Sequence, residues 1–90
     1  MVKNDQTAQN LRSAYAGESM AYQRYIVWGE KAKEEGFENV ALLFKAIANA
    51  EQVHASNHFE AHENVKGGFL VAGGGEFGYG TTSENLVGAI

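Results

Sequence analysis

The stretch FKAIANAEQVH (Phe44–His54) decides how this chain is read. Phe44, Ile47 and Ala48 repeat at the three-and-four spacing of a helix face buried against a neighbour. Glu51 and His54 continue the same stripe, at positions where apolar residues are due. An earlier stretch, LRSAYAGESMAYQRY (Leu11–Tyr25), carries the same anomaly. Leu11, Ala14, Tyr15, Ala21, Tyr22 and Tyr25 share one helical face, and Glu18 lies among them. A carboxylate buried without a partner is costly enough to be neutralised or expelled. Three ionisable groups in two buried stripes need a common explanation.

Outward from these stripes, the chain resolves into helices. The first is expected over about 8–35, with Thr7 as its N-cap and Gly36 as its stop. Its opposite face carries Arg12, Gln23, Glu30, Lys33 and Glu34. The second is expected over about 38–64, with the stripe Val40, Leu43, Phe44, Ile47, Ala48, Glu51, His54, Ala55 and His58. A connection as short as Gly36-Phe37 makes the pair an antiparallel hairpin. Residues of about 65–81 differ in kind. Seven of the chain's eleven glycines fall between 66 and 80, mixed with Phe69, Leu70, Val71, Phe77 and Tyr79. That is too apolar for a free linker, so the segment is expected to dock along the hairpin, where it is long enough to run its length. Thr81-Thr82-Ser83-Glu84 fits a capping box and opens a third helix at about 83–90.

Composition narrows the function classes. The chain has 90 residues, no proline, no cysteine and a net charge of −4. It reads as one small all-α domain with little surface to bury alone. The absence of cysteine removes disulfides, thiolate metal sites and thiol nucleophiles. The acidic balance, with no Lys/Arg cluster, argues against nucleic acid or an anionic membrane as partner. No apolar run approaches a membrane span and no signal core opens the chain, so a cytoplasmic protein is expected.

At about 1.5 Å per residue from the turn, Glu18, Glu51 and His54 stand at matching heights on the two helices, all on the order of 25 Å along. Carboxylates that neutralise metal charge and an imidazole that supplies a terminal nitrogen form a metal-ligating set. Four-helix di-iron bundles take one Glu from each of two helices and a Glu-x-x-His from each of the other two. This hairpin supplies half of that inventory. The segment Thr82–Ile90 (TSENLVGAI) echoes Thr7–Tyr15 (TAQNLRSAY), and a counterpart of Glu18 at that offset would fall just beyond residue 90. The missing ligands are therefore expected from a second copy of the chain, for which an exchange of segments through the glycine-rich connection is one route.

The segment Asn10–Phe59 resembles the first half of a rubrerythrin, through AGESMAYQRY around Glu18, AKEEGFENVALLF across the turn and AEQVHASNHF around Glu51 and His54. TTSENLVGAI resembles the start of that family's third helix. The resemblance implies a ferritin-like bundle with a non-haem di-iron centre that reduces hydrogen peroxide. Glu18, Glu51 and His54 would be metal ligands, with Glu51 bridging and His54 able to leave or rejoin its iron. Tyr25 would be a supporting residue that hydrogen-bonds a ligand carboxylate. Two iron ions per homodimer are implied, although the ligand set also suits manganese or zinc. The family's four-cysteine rubredoxin-like iron is missing, so an external electron-donor protein such as a rubredoxin is implied. Ala21 stands where the family's second half carries a further carboxylate. Oxidation and storage of iron in a ferritin-like manner, or a catalytically silent fragment of a larger di-iron protein, are the alternatives.

Other residues read more plainly. His58 and His62 continue the His54 stripe as a ladder that could take an extra metal, or as partly exposed residues near a helix end. Met20 and Trp28 are expected to pack. Arg24, Lys31, Lys33, Glu34 and Glu35 are expected on a solvated face.

Overall fold

A computed structural model describes residues 5–62, 68–73, 75 and 77–89. The expected last turn of the second helix, the start of the connection, Gly74, Glu76 and Ile90 lie outside these residues. The described residues form three helices, α1 (Asp5–Glu34), α2 (Glu38–Ala61) and α3 (Thr82–Ala89), in a body of 48 × 20 × 20 Å. The all-α expectation holds. Thr7, however, lies inside α1 rather than capping it. The helix extends upstream of Thr7, and Gln6 Nε2 donates to Asn10 Oδ1 at 3.0 Å across one of its turns.

The hairpin turns on a single residue. Gly36 has φ of 86°, a left-handed backbone open to glycine without a Cβ clash. Its N–H donates to the Lys33 carbonyl at 3.1 Å, and the N–H of Phe37 donates to the Ala32 carbonyl at 2.8 Å. These two bonds satisfy carbonyls that the end of α1 would otherwise leave unpaired. The Phe37 carbonyl then accepts from Ala41 N–H at 2.9 Å, the first turn of α2.

The apolar core sits in the half of the hairpin nearest this turn. Tyr25, Trp28, Ala32, Phe44 and Ala48 are buried together, with Leu86 and Ala89 of α3 packed against them. The three large rings form a triangle with centroids 5.7–5.9 Å apart. Part of the expected stripe is not buried. Leu43 is 51% exposed and the His54 side chain 55% exposed, because both point to a side of the hairpin against which no described element packs. Leu42 and Val53 are also exposed.

The described part of the connection follows α1 in the same chain direction. Phe69 lies under the Arg12 guanidinium at 4.5 Å, Gly73 meets the backbone at Ala16 and Gly17, and Trp28 Nε1 donates to the Gly78 carbonyl at 2.8 Å. The segment thus docks as expected. Thr81 closes the capping box with Glu84. Thr81 N–H donates to Glu84 Oε1 at 3.0 Å and Glu84 N–H donates to Thr81 Oγ1 at 3.2 Å, so α3 starts one residue earlier than expected. α3 then runs back along α1, from Glu35 at its start to Trp28 at Gly88.

Glu35 corrects the reading of a purely solvated charged face. Its Oε1 accepts from both the N–H and the Oγ1–H of Thr82, each at 2.6 Å, and Thr82 is buried. A carboxylate at the N-terminus of a helix is favoured by the unpaired N–H groups there. These bonds hold the Glu35 carboxyl below its usual range. Arg24 and Lys31 also leave the expected solvated role, since their cations lie over the rings of Tyr25, Trp28 and Tyr79.

Gly36→Ala should destabilise the chain by about 1–2 kcal/mol and lower its thermal midpoint by several degrees. A midpoint equal to wild type would contradict the turn described above. Because the Glu35 carboxyl titrates below its unfolded value, its contribution is complete above that value and is lost as pH falls through the depressed one. Acidification to below the ordinary carboxylate range should therefore loosen α3, which tryptophan emission can follow, and Glu35→Gln should remove that step.

Candidate metal centre

Glu18 on α1 and Glu51 and His54 on α2 meet near the middle of the hairpin, further from the turn than the aromatic core. One ligating atom from each can be chosen so that all lie within 4.8 Å of one another. His54 Nδ1 is 3.4 Å from Glu18 Oε2 and 3.9 Å from Glu51 Oε2. The i,i+3 spacing brings Glu51 and His54 onto one side of α2, and the antiparallel register brings Glu18 opposite. The two carboxylates are mostly covered, whereas His54 forms the open side.

The electrostatics fit a cation. Glu18 Oε2 is buried and accepts no hydrogen bond; the His54 contact at 3.4 Å is an ion-pair distance. A carboxyl hydrogen bond with Glu18, burial, and repulsion from Glu18 raise the Glu51 carboxyl above its ordinary range, with His54 and Arg24 opposing. Two carboxylates that cannot both ionise comfortably, one with an unsatisfied buried oxygen, are what a bound metal would relieve. Carboxylate oxygens with an imidazole nitrogen suit iron.

The other expected residues are placed as follows. Tyr25 is buried in the aromatic core, and its hydroxyl accepts from Arg24 Nη2 at 3.5 Å. His58 is half-buried one turn beyond His54. His62 leaves the histidine ladder, because its Nε2 is 3.0 Å from Arg12 Nη1 and its ring stands edge-on to Phe69 at 5.2 Å. Arg24 was not expected near the centre. It is half-buried and its charge reaches Glu51. The available sequence signal was its i,i+4 spacing to Trp28, which suits a cation over a ring.

The rubrerythrin family model matches residues 9–73. This chain belongs to the rubrerythrin family. It is 48% identical to Rubrerythrin-2 of Clostridium acetobutylicum, across 99% of this chain and 48% of that protein. It is 38% identical to a rubrerythrin of Porphyromonas gingivalis, across 94% of this chain and 42% of the relative. Nigerythrin of Nitratidesulfovibrio vulgaris is 35% identical across 70% of this chain and 31% of its own length. The chain thus spans about half the length, or less, of these relatives. No solved structure matches it. Its all-helical architecture is consistent with the ferritin-like fold implied by the family resemblance, and no described helix is long and apolar enough to cross a membrane.

The raised Glu51 carboxyl yields a pH prediction. Its contribution to stability is full below the unfolded carboxylate value and is lost as pH rises through the raised one. With metal chelated, the thermal midpoint should fall across that rise, and Glu51→Gln should flatten the fall. Parallel falls in both proteins would exclude Glu51 as its source.

Proposed function

We propose that this chain is a non-haem di-iron oxidoreductase of the rubrerythrin type, which reduces hydrogen peroxide at a metal site shared between two copies of the chain. The observation that carries this reading is the convergence of Glu18, Glu51 and His54 on an open side of the hairpin. Leu43 lies exposed on that same side. Two hairpins related by a two-fold axis provide four Glu and two His, the inventory of a di-iron bundle. The same association would cover apolar surface that a single hairpin leaves in water.

Bound iron would supply the two electrons that convert peroxide to water, and an external electron-donor protein would restore them. The chain's own residues have separable roles. Glu18 and Glu51 would hold the metal and balance its charge, and their carboxyls already interact with one another. His54 supplies the terminal nitrogen, and its exposed ring has room to turn. Tyr25 would support the site from the adjoining core, where its hydroxyl accepts from Arg24 Nη2.

Metal content and oligomeric mass measured on one iron-reconstituted sample should give about one iron per chain in a dimer. Glu51→Ala should weaken metal binding by at least tenfold, since even loss of an outer partner of a ligand costs about that much. Rapid mixing of the Fe(II) protein should show faster oxidation by peroxide than by oxygen. The reverse order would move the reading to iron oxidation and storage, and a metal-free monomer would sink the shared site.

A further inference from the structure

Beside α1, the segment around Gly78 leaves a cleft of about 310 Å³. Met20, Val27, Trp28, Phe77 and Tyr79 give it apolar and aromatic walls, and Arg24 is its one charged lining residue. Phe77 is 78% exposed and Tyr79 63% exposed, although the backbone between them is tied to α1 by the Trp28–Gly78 hydrogen bond. Two large rings are thus held at the surface by an anchored backbone, without covering the core.

Charge adds a direction. Arg24 lies over Trp28 at 5.1 Å, and the Lys31 ammonium lies 5.6 Å from the Tyr79 centroid. Positive charge therefore stands against two of the aromatic walls. No carboxylate lines the cleft among the described residues. Glu84 lines the neighbouring cleft instead and is engaged by Thr81 N–H. Aromatic walls favour a flat π system, cations favour an anion, and an anchored segment lowers the ordering cost of binding.

We propose that this cleft binds a planar aromatic ring carrying a phosphate, the chemistry shared by flavin and purine nucleotides. The ring lies against Phe77 and Tyr79, and the phosphate faces Lys31 and Arg24. The cleft's lining includes none of Glu18, Glu51 and His54, although the Arg24 charge reaches Glu51. It is linked to them through Trp28, whose ring packs against Tyr25.

The chain's sole tryptophan is Trp28, so its emission reports on this cleft. Flavin mononucleotide and adenosine monophosphate would each be titrated into the chelator-treated full chain, with calorimetry alongside. Saturable binding of either nucleotide is expected, and which one binds identifies the source of the ring. Phe77→Ala should weaken it about tenfold, as loss of one stacking ring does. Lys31→Gln should weaken it and reduce its salt dependence, and riboflavin should bind less tightly than its phosphate. Because Phe77 is exposed, the variant's helical circular dichroism should match wild type. No saturable binding of either nucleotide, or unchanged affinity in folded Phe77→Ala, would overturn the site. Riboflavin binding as tightly as its phosphate would overturn the anion contact.

Discussion

Glu18 faces Glu51 and His54 because Phe37 ends one helix and begins the next. Its N–H closes α1 on Ala32 and its carbonyl opens α2 at Ala41, with Gly36 supplying the left-handed backbone between. The register of the hairpin is fixed there, many residues from the ligands. Every juxtaposition further along, from Tyr25 against Phe44 to Glu18 against His54, inherits that register. One residue added to or removed from the turn would rotate α2 by about 100° relative to α1 and turn Glu51 and His54 away from Glu18.

Packing and chemistry occupy successive levels of the hairpin. The turn end holds the aromatic triangle, α3 and the Glu35 clasp, where burial and satisfied hydrogen bonds agree. The next level, mid-hairpin, holds two carboxyls in tension and an exposed imidazole. Separation of this kind lets a stable region hold a strained one, since the unfavourable groups need not be offset locally.

Much of this was legible in the residues. The periodicity of α1 and α2, the stop at Gly36 and the capping box at Thr81 are local signals, and the stripe positions of Glu18, Glu51 and His54 follow from them. What stayed hidden depends on distant partners. Leu43 and His54 sit at stripe positions, but burial requires an element on that side. Glu35 reads as one of several helix-end charges until Thr82 arrives from far along the chain. His62 continues a histidine ladder in sequence, yet Arg12 of the other helix engages its nitrogen. Such pairings are set by how the connection and the hairpin meet, which no local window contains.

The three-residue junction of Glu35, Gly36 and Phe37 has a mechanical consequence. With no slack in the turn, α1 and α2 cannot slide along one another, because axial travel would have to break the bonds to Lys33, Ala32 or Phe37. The hairpin behaves as a pair of rods pinned at one end, free only to splay or twist. Small changes in splay at the pin become larger changes further along, at the level of Glu18 and His54 and beyond. The spacing of the ligands is thus adjusted by side-chain torsion and by lever-like opening, and whatever packs on the open side of the hairpin sets how far that lever can move.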